Sequence, residues 1–135
     1  MIVVDTNILA YLLLSGERTT IATAVLQKDP AWAMPLLGRS EFRNVLALYL
    51  RKSILTWPET MEAVHAAERL LSGREYAVPS KPILDLVRQS SCSAYDCEFV
   101  ALAQQLGVPL ITDDKKVLRE FPAQAMTPER FLDLA

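Results

Sequence analysis

The sequence contains few of the residues that build zinc centres, catalytic triads or nucleotide-binding loops. Its 135 residues include two cysteines, one histidine and four glycines. Cys92 and Cys97 are five positions apart, which is not the spacing of a redox CxxC motif, and His65 is the only histidine. No glycine belongs to a GxxxxGKS/T or GxGxxG pattern. These absences argue against a zinc site, a histidine-dependent triad and the common phosphate-binding loops.

Long apolar runs and a strong net charge are also missing. The longest apolar stretches, such as ILAYLLL at residues 8–14, fall short of the ~20 residues needed to cross a bilayer. Asp5 interrupts the N-terminus before a signal peptide could form. We therefore expect a soluble, cytoplasmic protein without a membrane segment. The net charge of −2 argues against a protein that coats nucleic acid nonspecifically, although it is compatible with a local basic rim.

Short apolar runs alternate with longer segments of helical pattern along the chain. The runs IVV at 2–4 and VPLIT at 108–112 lack polar alternation, which is typical of strands buried on both faces of a parallel sheet. Weaker strands are predicted at 32–34, 76–78 and 124–126. Helices are predicted at 7–14, 18–27, 35–52, 56–71, 80–90, 93–106 and 115–120, and a last one opens at Thr127-Pro128. We expect residues 1–135 to form one three-layer α/β/α domain around a mainly parallel sheet.

Local signals set several of these helix boundaries. Pro35 suits the first turn of the third predicted helix, because its missing N–H is not needed there. Ser80 is expected to cap the fifth helix, and Gly107 is expected to end the sixth. Thr56 and Glu59 have the spacing of a capping box at the start of the fourth.

Acidic residues follow the two most apolar strands. Asp5 comes directly after the first strand, and Asp113 and Asp114 come directly after the run PLIT. In open α/β sheets, ligand sites form beyond the carboxyl ends of the strands, which is where these acids lie. A structural role for Asp5 as the N-cap of the first helix is an equally good interpretation when that residue is taken alone.

Two further acids lie on apolar helical stripes. Glu41 shares its stripe with residues spaced by three or four positions, namely Leu37, Val45 and Leu48. Asp96 does the same with Phe99, Val100 and Ala103. A solvated acid would share its face with polar residues instead. The structural alternatives are a buried arginine that pairs with Glu41 and a capping box in which Ser93 and Asp96 close the start of a helix.

A shared cation would satisfy all of these acids at once. Buried acids need compensation, and the chain brings them from four separate segments to strand ends and apolar faces. Ligation by oxygen alone, without histidine or cysteine, points to Mg²⁺ or Mn²⁺. Such a cation keeps water ligands, bridges carboxylates to phosphate oxygens and activates water for in-line attack on a phosphodiester.

The chain contains the segments VVDTN, SEF, AYDCEFVALAQQLGVPLIT and TDD. Together these segments resemble the PIN-domain ribonucleases, and in particular the VapC-type toxins of prokaryotic toxin–antitoxin pairs. The resemblance extends from residue 2 to about residue 120, with a compatible length and order of segments. The resemblance implies a parallel sheet flanked by helices and an endonucleolytic cleavage of RNA.

The resemblance also implies a set of site residues. Asp5, Glu41, Asp96 and an acid at 113 or 114 would gather around one or two divalent cations, with Mg²⁺ as the expected cofactor and Mn²⁺ as a substitute. Alternation along an extended segment places Thr112 and Asp114 on one side, and the family pattern also selects Asp114. Asp113 is then expected to cap the helix at 115–120.

Polar residues next to these acids match supporting positions of the family pattern. Thr6, Asn7 and Thr112 would orient ligands or waters around the cation. For Asn7, simple turn and cap chemistry is an equally good interpretation.

Basic and aromatic residues close to the acids in sequence are candidates for RNA contact. Arg39 and Arg43 flank Glu41, and a second group, Lys115, Lys116 and Arg119, follows the last acid. Such cations would bind phosphates at the rim of a cleft, although most charge clusters are only solvated faces. Trp32, Trp57 and Tyr95 could stack on bases, but single aromatics at these spacings are more often core residues.

Protein partners follow from the same resemblance. It implies a cognate antitoxin and self-association as a homodimer, and the RNA substrate completes the expected partners. Leu9, Leu12 and Leu13 on the first helix are candidates for an exposed surface that accepts an apolar segment of the antitoxin, unless they belong to the core.

Three other functions fit parts of the pattern. A phosphatase of the haloacid dehalogenase type would need an acid two residues after Asp5, where this chain has Asn7. A PIN nuclease of RNA maturation would act without an antitoxin. A catalytically silent PIN-like module would bind a partner without hydrolysis, which an intact set of four acids argues against.

Overall fold

The computed structural model describes all 135 residues, from Met1 to Ala135, and places them around a five-stranded parallel sheet. The strands are β1 (Ile2–Val4), β2 (Trp32–Pro35), β3 (Glu75–Tyr76), β4 (Leu110–Ile111) and β5 (Ala125–Met126). The helices are α1 (Thr6–Leu13), α2 (Thr19–Lys28), α3 (Leu37–Arg51), α4 (Trp57–Leu71), α5 (Ser80–Gln89), α6 (Ala94–Leu106), α7 (Lys115–Glu120) and α8 (Pro128–Asp133). No helix is long and apolar enough to span a bilayer.

The order of the strands across the sheet is β3-β2-β1-β4-β5, and every adjacent pair is parallel. The chain therefore moves one way from β1 to β3 and then returns past β1 to β4 and β5. Because parallel crossovers are right-handed, the two directions place their helices on opposite faces of the sheet. On one face of the sheet, α6 packs against β1, β2 and β4, with α5 beside it. On the other face, α3 and α4 pack against β2. The predicted three-layer α/β/α fold with a parallel sheet is confirmed.

The reversal of strand order falls between β1 and β4. At such a point the connections leave the sheet in opposite directions, so that a crevice opens beyond the carboxyl ends of the two strands. Both strands are completely buried, with Val3 paired to Leu110 and Val4 paired to Ile111. The first residues after these strands therefore meet at the crevice, and they are Asp5 and Thr112.

Pro35 lies in β2 and not in the first turn of α3, so that part of the prediction is wrong. On either side of it, the N–H groups of Met34 and Leu36 donate to carbonyls of the β3 edge at 3.1 and 2.9 Å. The backbone nitrogen of Pro35 therefore points towards β1, at a position where the pairing between β1 and β2 has already ended. A proline is tolerated in this strand because no ladder bond is required of it there.

Two smaller predictions also need correction. Ser80 is the first residue of α5 and makes no side-chain cap, since the N-cap position belongs to Pro79. Leu9 is fully buried in the core, and Leu12 and Leu13 are half-buried against it, so the surface predicted for α1 is smaller than expected. Every residue from Ile8 to Leu14 is apolar, so the sequence pattern does not indicate which side of α1 is buried.

Gly107 ends α6 in the left-handed region, with φ of 67°. We predict that Gly107→Ala lowers the free energy of unfolding by about 1 kcal/mol, because a Cβ is strained in this conformation. Gly16→Ala is the matched control, since Gly16 has no such φ and a Cβ there would meet only the Leu14 carbonyl at 4.0 Å. Urea unfolding of the two variants measures the difference, and equal stabilities would contradict the role given to Gly107.

Candidate functional site

Asp5 and Thr112 join the ends of β1 and β4 by a side-chain hydrogen bond. The Thr112 hydroxyl donates to Asp5 Oδ2 at 2.7 Å. The backbone fixes both residues, because the Asp5 N–H donates to the Ile111 carbonyl and the Thr112 N–H donates to the Met126 carbonyl, each at 3.0 Å. Thr112 is completely buried. The sheet ladder therefore holds one carboxylate oxygen at the crevice in a defined direction.

Asp5 is also the N-cap residue of α1, as its structural interpretation predicted. Its Oδ1 accepts from the Thr6 N–H at 2.7 Å. The Thr6 hydroxyl in turn donates to Glu41 Oε1 at 2.7 Å, across 35 positions of sequence. The start of α1 thus connects the acid after β1 to the acid in α3. Asn7 is exposed and takes no part in these hydrogen bonds.

Asp96 lies in the first turn of α6, which packs against β1 and β4. Ser93 is the N-cap residue, and its hydroxyl accepts from the Asp96 N–H at 3.1 Å. Asp96 is half-buried, while the next residues on its stripe, Phe99 and Val100, belong to the core. The capping geometry and the apolar stripe together place this carboxylate at the edge of the crevice.

Asp114, and not Asp113, caps α7, so the prediction that Asp113 caps this helix is wrong. Asp114 Oδ1 accepts from the N–H groups of Lys116 and Val117 at 2.9 and 3.0 Å. The Asp114 N–H donates to the Thr112 hydroxyl at 3.0 Å. Because α7 begins at Lys115, the chain has already left the extended conformation in which neighbouring side chains point to opposite sides. The predicted cap depended on that alternation of side chains.

The four acids influence one another electrostatically. Burial raises the pKa of Asp5 to about 6, opposed by its hydrogen bonds from Thr112 and Thr6, and the charges of Glu41 and Asp114 raise it further. Burial also raises the pKa of Glu41, with a contribution from Asp96. Burial and then the charge of Asp114 raise the pKa of Asp96. Asp5, Glu41, Asp96 and Asp114 therefore form a closed circle of repelling carboxylates, which we call the acidic site.

No lysine or arginine of the protein forms an ion pair with the acidic site. The six ion pairs of the chain use other acids, namely Asp29, Glu75, Asp85, Asp113 and Glu129. The buried arginine considered as a partner of Glu41 is therefore not present. Glu41 Oε2 and Asp114 Oδ2 accept no hydrogen bond from the chain, and no unpartnered side-chain oxygen is buried, so these atoms face solvent.

The donors of the acidic site suit a hard divalent cation, since all of them are carboxylate oxygens. In the described conformation, however, no group of three or more acidic, histidine or cysteine side chains is already arranged to hold an ion. The residue types, the negative charge and the accessible oxygens of Glu41 and Asp114 fit a cation, and holding one requires these side chains to rearrange.

The basic residues predicted to contact RNA divide between two places. Lys116 follows Asp114 and is close enough to Asp96 for its charge to lower the pKa of that carboxyl, against the larger effect of burial. Lys115 beside it is exposed. Arg39 is bound to Glu75 by two hydrogen bonds of 2.7 and 2.8 Å. Arg39 and Arg43 line a separate pocket of about 400 Å³ between α3 and α4, which contains none of the four acids.

The three aromatic candidates also differ in position. Trp32 is completely buried and its indole N–H donates to the Asp29 carbonyl, so it is a core residue. Tyr95 and Trp57 are each 64% exposed, and Tyr95 directly precedes Asp96. Tyr95 is therefore the exposed aromatic residue that adjoins a member of the acidic site in sequence.

Two charged residues near the acidic site were not found from the sequence. Glu98 is half-buried, its pKa is raised by burial, and its charge acts on Glu41. Arg18 pairs with Asp113, which lies between Thr112 and Asp114, at 2.7 Å. Glu98 lies within the segment AYDCEFVALAQQLGVPLIT, but its spacing from Asp96 does not place the two acids on one helical face. The Arg18 contact joins positions 95 apart, so no local pattern indicates it.

Comparison with known proteins identifies relatives along nearly the whole chain. The family model described as PIN domain matches residues 2–123. Ribonuclease VapC3 of Pyrobaculum aerophilum is 27% identical over 125 residues, which cover 90% of this chain and 95% of that protein.

Solved structures show the same fold at lower sequence identity. A crystal structure of a protein from Pyrobaculum aerophilum has a TM-score of 0.75 and 18% identity, over 96% of this chain and 85% of that one. A toxin–antitoxin complex from Klebsiella pneumoniae contains a chain with a TM-score of 0.70 and 21% identity, over 95% of this chain and 98% of that one.

The raised pKa of Asp5 makes stability depend on pH. Because the folded protein binds this proton more tightly than the unfolded chain does, the stability contributed by Asp5 is full below about pH 4 and is lost as the pH rises through about 6. We predict that Asp5→Asn raises the free energy of unfolding of the metal-free protein at pH 7.5 by roughly 1–2 kcal/mol. The gain should shrink towards zero as the pH falls to 4.

Urea unfolding in the presence of a chelator, at several pH values, measures this effect. Asp133→Asn is the matched control, because Asp133 is exposed and outside the acidic site. A loss of stability in Asp5→Asn at pH 7.5 would contradict the electrostatic description of the site.

Proposed function

Because the chain belongs to the PIN-domain family, we propose that it is a divalent-metal-dependent endoribonuclease and the toxin of a toxin–antitoxin pair. The proposal assigns Mg²⁺ as the cofactor, with Mn²⁺ as a substitute. The substrate is RNA, whose phosphodiester bonds are hydrolysed at the acidic site.

One observation carries this proposal. Four carboxylates from four different segments lie close enough beyond the carboxyl ends of β1 and β4 for their charges to raise the pKa of Asp5, Glu41 and Asp96, and none of the four forms an ion pair with a lysine or arginine. Such an arrangement costs stability and is retained where a charged ligand or a reaction requires it. The ribonuclease named among the relatives supports RNA as the substrate.

Each residue of the acidic site receives a role from its position. Asp5, Glu41, Asp96 and Asp114 would hold the cation, which supplies Lewis acidity towards a phosphate oxygen and lowers the pKa of water when bound. Thr112 fixes the direction of the Asp5 carboxylate through its 2.7 Å hydrogen bond. The Thr6 hydroxyl does the same for one oxygen of Glu41 and leaves Oε2 free.

Glu41 is the acid best placed to take a proton. Burial raises its pKa above the usual value of a glutamate, and its free Oε2 faces solvent. A carboxylate with these properties can accept a proton from an attacking water molecule. Lys116 and Lys115, both exposed at the start of α7, would bind neighbouring phosphates of the RNA backbone.

The toxin assignment rests on the relatives and on the shape of the surface. One solved structure with the same fold is a toxin–antitoxin complex. The half-buried Leu12 and Leu13 of this chain line a pocket of about 430 Å³ together with Tyr49, Ile54 and Leu55. We propose that an antitoxin covers apolar surface of this kind. Self-association as a homodimer stays a prediction.

RNA cleavage should require Mg²⁺ or Mn²⁺ and should stop in excess chelator. Asp5→Asn and Asp96→Asn each remove a charge from the acidic site, so we expect losses beyond the roughly 10- to 100-fold typical of a residue that only supports a metal ligand. Thr112→Val, which leaves all four acids in place, should fall within that 10- to 100-fold range. Initial cleavage rates at saturating Mn²⁺ test the series.

Asp133→Asn controls for a nonspecific effect of losing one acid, and circular dichroism checks that each variant folds. Undiminished cleavage by wild-type protein in excess chelator would sink the metal-dependent mechanism. Binding of RNA without any cleavage would identify a silent module instead of a nuclease.

The toxin assignment makes a separate prediction for the cell. Expression of this chain alone should arrest growth, because RNA cleavage is then uncontrolled, while Asp96→Asn should permit growth. Co-expression of the protein encoded by the neighbouring reading frame should restore growth to the wild-type chain. Colony counts after induction measure both effects. Normal growth with a purified enzyme that cleaves RNA would reject the toxin role and leave a nuclease of RNA maturation.

A further inference from the structure

Arg18 makes a set of contacts that its own helix does not explain. It is the N-cap residue of α2 and has no capping hydrogen bond. An arginine is unfavourable at this position, since its charge opposes the positive end of the helix dipole and its side chain cannot accept from the first N–H groups. The reason for an arginine here must therefore lie in what its side chain binds.

The guanidinium of Arg18 joins two distant parts of the chain. Its Nη2 and Nε donate to Asp113 Oδ2 at 2.7 and 3.2 Å. Its Nη1 and Nη2 donate to Glu129 Oε2 and Oε1 at 2.6 and 3.1 Å. The guanidinium carbon also lies 5.7 Å from the centre of the Tyr11 ring. The side chains of Arg18 and Asp113 are 32% and 25% exposed, so this contact is partly sheltered from solvent.

The segment 112–114 is held on every side by different partners. Thr112 donates to Asp5, and the Asp114 side chain caps α7. Asp113 stands between them, and its side chain accepts two hydrogen bonds from Arg18. Arg18 therefore adds a side-chain restraint on Asp113 to the contacts that hold Thr112 to Asp5 and β5 and Asp114 to α7.

We propose that Arg18 is a positioning residue, which holds Asp113 so that Thr112 keeps the Asp5 carboxylate directed at a divalent cation and Asp114 presents its free oxygen to the same cation. This inference rests on the proposed function, because it assumes a cation at the acidic site. Arg18 does not touch the acids of that site. It acts through the backbone of segment 112–114.

A purely electrostatic role for Arg18 makes the opposite prediction for cation binding. Without the positive charge of Arg18, the four carboxylates would attract a cation more strongly. The charge alone would therefore raise the affinity for a divalent cation in Arg18→Met and leave it constant in Arg18→Lys. Loss of positioning should weaken binding in both variants, because lysine keeps the charge but cannot form the planar fork. The sign of the change therefore separates the two roles.

Isothermal titration calorimetry with Mn²⁺ on the metal-free full chain provides the test. We expect the dissociation constant to rise roughly 3- to 10-fold in Arg18→Lys and at least as much in Arg18→Met, which is near the lower end of the range for residues that support a metal ligand. Glu129→Gln changes only the contact between Arg18 and Glu129 and leaves the contact between Arg18 and Asp113 in place. It should therefore raise the dissociation constant less than Arg18→Lys does.

Arg88→Lys is the matched control, since Arg88 forms a single hydrogen bond with Asp85 on the exposed face of α5 and should bind Mn²⁺ like the wild type. Unchanged or tighter binding in Arg18→Lys overturns the inference, even if that variant is less stable in urea. No Mn²⁺ binding by the wild type overturns the proposed metal site, and this inference with it. Wild-type binding with unchanged Arg18 variants overturns this inference alone.

Discussion

The hydrogen bond from Thr112 to Asp5 is the interaction on which the site depends. It connects the residues that follow β1 and β4, at the point where the strand order reverses. Because both strands are buried and paired, neither end can move without breaking the sheet. The fold thereby fixes one carboxylate, and the other acids are placed around it by the starts of α1, α6 and α7 and by α3.

The acidic site is maintained against its own electrostatic cost. Burial and mutual repulsion raise the pKa of Asp5, Glu41 and Asp96, which means that their charged forms are less stable here than in water. No arginine or lysine forms an ion pair with these acids, and the charge of Lys116 only partly offsets the effect of burial on Asp96, although Asp113 is paired with Arg18 one residue away from Asp114. Compensation of Asp113 alone leaves the four acids available to an external cation, which is the physical basis of the proposed function.

Local patterns predicted most of the fold and the identity of the acids. The buried strands, the end of α6 at Gly107 and the apolar helical stripes that contain Glu41 and Asp96 are all properties of short segments. The cap of α7 was assigned to the wrong aspartate, because strand alternation ends at a residue that the sequence does not mark. Pro35 was misplaced since its tolerance in β2 depends on where the partner strand stops. Arg18 was missed because its contacts join residues 95 and 111 positions away.

Anomalous diffraction from crystals soaked in Mn²⁺ tests most directly whether the four acids form a cation site. The account predicts a strong peak in the crevice beyond β1 and β4, within direct ligand distance of carboxylate oxygens from Asp5 and from at least one of Asp96 and Asp114. It also predicts that the Thr112 hydroxyl keeps its hydrogen bond to Asp5 when the ion is bound. A crevice without a peak at saturating Mn²⁺, or a peak held only by other acids such as Asp85, would contradict the account.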